Sequence, residues 1–210
     1  MRTRVLKVDP EHPDPAAIRE AAGILRRGGL VAFPTETVYG LGANLEDPQA
    51  IQELYRVKQR PFDKQVTLHI ADQESVEANG AVMPPLARKL MDRFWPGPLT
   101  LILARKDGST LGFRMPSHPV ALRLLRQAQV PVVAPSANLS GNPPPKTAKE
   151  VLRDFKDQID LVLDAGSTRL GISSTVVDFT GDRPKILRQG AGAKEVEQAL
   201  QEEVSRSQPR

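Results

Sequence analysis

The run Phe33-Pro34-Thr35-Glu36-Thr37-Val38-Tyr39-Gly40-Leu41-Gly42 sets two hydroxyls and a carboxylate directly behind an apolar stretch, with two glycines beyond them. Such groups at a strand end can hold a polar ligand, and glycine lets the backbone come close to it. The same residues also suit a plain glycine-rich turn. Lys58-Gln59-Arg60-Pro61 closes a helical stretch and is followed by Lys64 and His69. Two cations at an exposed helix end complement the helix dipole. They also match a phosphate clamp, with lysine as a point charge and arginine as a bidentate fork. In Phe113-Arg114-Met115-Pro116 one arginine stands among apolar residues, a setting in which guanidinium pairs with a carboxylate. Ala134-Pro135-Ser136-Ala137-Asn138-Leu139-Ser140-Gly141 brings small hydroxyl and amide groups suited to ribose and phosphate. Ser173-Ser174-Thr175, with Arg188 beyond the next turn, is the fifth such group.

Composition removes several chemistries. The 210 residues include no cysteine, which excludes disulfides, thiolate metal sites and a cysteine nucleophile. His12, His69 and His118 are too few and too scattered for a histidine-rich metal site. There is no G-x-x-x-x-G-K-[ST] phosphate loop, no third glycine after Gly40-Leu41-Gly42, and no G-x-S-x-G elbow. Catalysis on this chain would rest on positioning and charge stabilisation. A net charge of +4 suits an anionic ligand, either nucleotide or RNA backbone. Aromatic residues at 4% are sparse for a protein that stacks single-stranded bases. No apolar run approaches the ~20 residues of a membrane span, and MRTRVLKVDP lacks a signal-peptide core. A cytoplasmic protein is expected.

The elements that must position these groups alternate between apolar strands and amphipathic helices, the pattern of an α/β fold. Strands are expected at Val5–Val8, Leu30–Phe33, Val66–Ile70, Leu99–Ala104, Pro131–Ala134, Ile159–Leu163, Thr175–Phe179 and Lys185–Leu187. Asp14-Pro15 and Asp47-Pro48 open helices, the first ending at Gly28-Gly29, and Thr147 with Glu150 forms a capping box. Further helices are expected over Pro85–Phe94, Val120–Gln127 and Ala193–Val204. Prolines recur where a strand gives way to a hydroxyl, as in Phe33-Pro34-Thr35, Met115-Pro116-Ser117 and Ala134-Pro135-Ser136. A proline there limits the entropy lost when a loop orders around a ligand. One domain over residues 1–204 is expected, with Ser205–Arg210 frayed.

Taken in order, these runs resemble the YrdC family of threonylcarbamoyl-AMP synthases, from about Ala16 to Gly190. The likeness is carried by Phe33–Gly42, Lys58-Gln59-Arg60-Pro61, Pro96-Gly97-Pro98-Leu99-Thr100, Arg114-Met115-Pro116, Pro135-Ser136-Ala137-Asn138, Ser174-Thr175-Val176-Val177-Asp178 and Leu187-Arg188. It implies a twisted mixed sheet flanked by helices, with a concave basic cleft. It also implies that L-threonine, bicarbonate and ATP are joined into threonylcarbamoyl-adenylate with release of pyrophosphate. A separate partner complex would then transfer the group to a tRNA adenosine beside the anticodon, with weak tRNA binding by the chain itself as a further expectation. By the resemblance, Thr35, His69, Arg114, Ala134 and Ser174 would meet threonine, and Arg60, Lys64, Thr110, Ser136 and Arg188 would meet ATP. Lys58 and Arg60 would stabilise charge on the phosphates, with Mg²⁺ held chiefly by phosphate and water. His69 would serve either as a base or as the hydrogen-bond partner of the threonine hydroxyl.

The chain departs from the pattern at Lys64-Gln65, where many members carry Asn-Pro, and at Pro144, where a nucleotide-contacting serine is common. From its end near residue 210, the short form of the family is expected. Three other readings are a double-stranded RNA or tRNA-binding module without catalysis, a relative that forms a carbamoyl-adenylate with a different amine, and a regulatory paralogue that has lost activity.

Overall fold

The computed structural model describes residues 2–206. Local sequence starts its helices as expected. Asp14 accepts the Ala16 N–H at 2.9 Å and Pro15 opens α1 (Pro15–Arg26). Asp47 accepts from Gln49 and Ala50 at the head of α2 (Pro48–Lys58). The reciprocal Thr147–Glu150 box heads α6 (Ala148–Phe155). Proline also opens α4 (Pro85–Phe94) and α5 (Pro119–Ala128), because its missing N–H would be unpaired there in any case. The last helix, α7 (Ala193–Arg206), takes in Ser205 and Arg206, which were expected to fray; residues 207–210 lie outside the described residues. Among the described residues no helix is long and apolar enough to cross a membrane.

Among the described residues, ten strands form one mixed sheet in the order β1-β8-β2-β3-β7-β4-β6-β5-β9-β10. They are β1 (Arg4–Lys7), β2 (Val31–Phe33), β3 (Gly40–Asn44), β4 (Thr67–His69), β5 (Leu99–Ala104), β6 (Thr110–Arg114), β7 (Val132–Val133), β8 (Leu161–Asp164), β9 (Thr175–Asp178) and β10 (Lys185–Arg188). Two of them, β3 and β6, go beyond the expected set, as does the short helix α3 (Glu74–Ala78). The reason is steric. Gly42 in β3 lies under the Phe33 ring, and an added Cβ would sit 3.0 Å from Phe33 Cε1. Gly112 in β6 has the same relation to the Thr67 hydroxyl, also at 3.0 Å. Glycine therefore marks close approach inside the sheet here, whereas in isolation it reads as a turn signal.

Alternation along the strands assigns the two faces. Ala32, Leu41, Leu68, Leu99, Leu101, Phe113, Val133 and Val162 point into one continuous core under α2, α4, α6 and α7. On the other face, Val31, Phe33, Leu161 and Leu163 pack against α1 and α5. That second helical layer covers the β1-β8-β2 end and reaches β3 and Val132 of β7. Farther along the same face, β4, β6 and β5 present Thr67, His69, Arg114 and Thr100 to a cleft.

Candidate active site

The cleft encloses about 590 Å³, including its open mouth. Thr35, His69, Arg114, Ala134 and Ser174, the five positions expected to meet an amino acid, all line it. Arg60, Ser136 and Arg188 line it as well, whereas Lys58, Lys64 and Thr110 do not.

Thr35 stands two residues past β2. Its hydroxyl lies 2.8 Å from Thr37 Oγ1 and donates to the Val38 carbonyl at 2.7 Å. The N–H groups of Thr37 and Val38 turn back toward it at 3.2 and 3.3 Å. This hydroxyl turn replaces main-chain pairing and holds the strand-to-loop corner in place.

Arg114, the last residue of β6, is 5% exposed. Its Nη2 donates to Glu36 Oε1 and to Thr37 Oγ1, each at 2.8 Å. The expected carboxylate partner is thus Glu36, 78 residues away. The Nε of Arg114 is buried with no hydrogen-bond partner. An unpaired buried donor is costly.

His69 sits beside Arg114, since β4 and β6 run parallel with these two residues in register. Burial first, and the Arg114 charge second, push its pKa down to about 3. Its Nδ1 faces the Thr67 carbonyl at 3.3 Å, so Nδ1 carries the proton and Nε2 is left as an acceptor. The ring meets Phe33 edge-on at 6.3 Å.

Opposite this pair, Ser174 Oγ lies 2.8 Å from Thr100 Oγ1. Arg188 bridges to the same residue, with Nε on the Ser174 carbonyl at 2.9 Å and Nη2 on its hydroxyl at 3.1 Å. Burial, then repulsion from Arg114 and Arg60, depress the Arg188 pKa. The cleft therefore gathers three guanidinium groups, and no Asp or Glu is among its lining residues.

Lys58 departs from expectation. It is 1% exposed rather than at an exposed helix end, and its Nζ donates to the carbonyls of Ser136 and Asn138, each at 2.6 Å. Asp154 braces the same loop from the other side through Leu139 N–H at 3.0 Å and Asn142 Nδ2 at 3.1 Å. Burial, aided by the Arg60 charge, brings the Lys58 pKa down to about 7. Lys58 thus ties α2 to the loop that delivers Ser136.

Arg60 is partly exposed and folds its own loop, donating from Nε to Lys64 O at 3.2 Å and from Nη2 to Gln65 O at 2.6 Å. The Lys64 side chain is exposed, and its carbonyl also accepts from Tyr55 at 2.8 Å. The Thr110 hydroxyl accepts from Gln65 Nε2. Lys64 and Thr110 are thereby placed beside the cleft and not in it. Glu36, Thr67 and Thr100 are further residues of the site to which the family resemblance gives no ligand role. For the two threonines the available signal was a polar residue at alternate positions of an apolar strand.

The family model Sua5_yciO_yrdC, described as "Telomere recombination", matches residues 23–190. The chain belongs to the Sua5/YciO/YrdC family. It is 44% identical over 195 residues to the threonylcarbamoyl-AMP synthase of Pyrococcus abyssi, spanning 88% of this chain and 57% of that protein. The Bacillus subtilis protein of the same name is 44% identical over 193 residues, with 87% and 56% covered. The crystal structure of P. abyssi Sua5 complexed with L-threonine superposes with a TM-score of 0.89 at 43% identity, covering 94% of this chain and 61% of that one. The chain thus spans somewhat over half the length of these relatives. The expected mixed α/β family fold is found.

Proposed function

We propose that this chain joins L-threonine, bicarbonate and ATP into threonylcarbamoyl-adenylate, releasing pyrophosphate. The observation that carries this reading is the Arg114 guanidinium, anchored by Glu36 and Thr37 yet holding a buried Nε with no partner, in a cleft with no carboxylate in its lining. That is a receptor for one carboxylate beside two further cations, Arg60 and Arg188, suited to phosphate. The names of the relatives and the threonine bound in the P. abyssi structure support the same reading.

In this scheme the threonine amine and bicarbonate condense to a carbamate with loss of water. A carbamate oxygen attacks the α-phosphorus, forming the carbamoyl–phosphate bond as pyrophosphate leaves with the electron pair of the broken bond. Arg60 and Arg188 would meet the charge on the phosphate oxygens. Lys58 acts through the loop it holds, as a positioning residue for Ser136. His69, neutral at pH 7 and presenting Nε2, accepts from the threonine hydroxyl; a base of pKa about 3 is too weak to deprotonate the amine. The lining offers no carboxylate to cage Mg²⁺, so the residues present do not form a site for that ion, and we assign Mg²⁺ to the ATP phosphates. The adenylate would pass to a tRNA-modifying transferase, and ATP as co-substrate with tRNA as that transferase's substrate would place the reaction in the cytoplasm.

The test is an incubation with ATP, Mg²⁺, bicarbonate and threonine, with pyrophosphate and the adenylate both measured. Release dependent on threonine and bicarbonate together is expected. Equal ATP breakdown without threonine overturns the reading in favour of a plain ATPase. RNA binding that needs neither ATP nor threonine and falls steeply with salt, without adenylate formation, would favour the RNA-binding module.

A further inference from the structure

We infer that Glu36 is a positioning residue that sorts the two substrates between the ends of one cationic cleft, an inference that rests on the function proposed above. Three guanidinium groups line the cleft, and all three are attractive to a polyphosphate. They are not equivalent. Arg114 alone among them carries a carboxylate within ion-pair distance among the described residues, Glu36 at 2.8 Å. Arg60 donates to two main-chain carbonyls, and Arg188 to the carbonyl and hydroxyl of Ser174.

Glu36 is itself 3% exposed and fully engaged. One carboxylate oxygen takes Arg114 Nη2, the other accepts the Ser117 N–H at 3.1 Å, and its main-chain carbonyl accepts the Leu170 N–H at 2.8 Å. It therefore joins the end of β6, the segment leading into α5 and the 165–173 loop that runs to Ser174.

Two consequences follow. Glu36 and Thr37 fix one amino group of Arg114, so the remaining guanidinium donors are presented in a single orientation. Glu36 also cancels the formal charge of that guanidinium. A dianionic phosphate group gains least at this end and most between Arg60 and Arg188, because unpaired charges attract in proportion to their net value. A single carboxylate on a zwitterion still finds directed donors on Arg114. The sequence carries both halves of the device in Thr35-Glu36-Thr37, where the carboxylate is flanked by the two hydroxyls.

Calorimetry with threonine and with inorganic pyrophosphate, separately and together, tests this on the whole chain. In the native protein pyrophosphate is expected to bind without displacing threonine. In Glu36→Gln, which keeps size and removes charge, threonine affinity is expected to fall about tenfold or more, and pyrophosphate should become competitive with threonine. A structural role alone would weaken threonine but would not create that competition. Competition already present in the native protein overturns the inference and needs no variant, so it holds even if Glu36→Gln fails to fold. A folded Glu36→Gln with native threonine affinity and no competition overturns it too. Absence of any threonine binding to the native protein would instead overturn the proposed function.

Discussion

Arg114 and Lys58 are both buried cations, 5% and 1% exposed, and they solve the same problem in different ways. Arg114 ends a strand, meets a carboxylate and a hydroxyl, and keeps its Nε buried without a partner. Lys58 ends a helix, meets only two carbonyls, and lies over the Phe155 ring at 5.9 Å. Guanidinium stays charged under burial, while an ammonium loses its proton as desolvation deepens. The guanidinium is thus fit to receive a ligand, and the ammonium to brace a loop.

The comparison breaks most sharply at Arg114. Arg114→Ala leaves Glu36 buried without its cation, so stability should drop by about 3–5 kcal/mol in thermal or denaturant unfolding. Under conditions where the variant is folded, threonine affinity should fall by about 2–3 kcal/mol, roughly 30- to 150-fold, with ATP affinity little changed. Calorimetry on both ligands reads this, and an ATP-selective loss would move Arg114 to the phosphate side.

Lys58→Ala leaves the Asn138 carbonyl without its donor, while the Ser136 carbonyl keeps the Asn138 N–H at 3.0 Å and no carboxylate is orphaned, so its stability loss should be smaller, about 2 kcal/mol. Its pH dependence sharpens the contrast. With a folded pKa of about 7 against 10.5 for the free side chain, the unfolded chain binds more protons between those values. Stability from this group therefore rises with pH from about 7 to about 10 and is lowest when the buried ammonium is fully charged. The Tm gap between the native protein and Lys58→Met should widen from pH 7 to pH 10. An unchanged gap would place the charged lysine in a polar setting.

His69→Asn should weaken threonine binding by about 1 kcal/mol while leaving the pH–rate profile between pH 6 and 8 unaltered. A limb of that profile lost in the variant would restore His69 as the base. The smallest structural effect is expected at Arg60. Its bonds are local and partly exposed, so Arg60→Ala should change stability by less than about 0.5 kcal/mol yet clearly lower the rate of pyrophosphate release. Native turnover in that variant would leave Arg60 as a loop closure only.

Much of this was legible in the chain because the information is local. Asp-Pro pairs, the Thr147–Glu150 box and apolar periodicity act over a few residues, and the helices begin where those signals stand. The five positions expected to meet an amino acid were legible through the family resemblance; Thr35, His69, Arg114 and Ala134 end or follow a strand, and Ser174 stands directly before β9. What misled was also local. Gly40-Leu41-Gly42 suits either a ligand-approaching loop or a turn, yet the glycines lie in a strand whose register places Gly42 under Phe33. Lys58 looked solvated because a basic helix end is ordinarily solvated.

The sequence by itself determined the alternation of strands and helices, the exclusion of thiol chemistry and thiolate metal sites, and which side chains could bind anions. Tertiary structure alone decided their partners. Arg114 meets Glu36 across 78 residues, and Lys58 reaches Ser136 and Asn138 across 78 and 80. Such pairs depend on strand order and on where α1 and α5 stop covering the sheet. That coverage separates a packed face from an open cleft, since a polar residue on an alternating strand faces a ligand only where no helix lies over it.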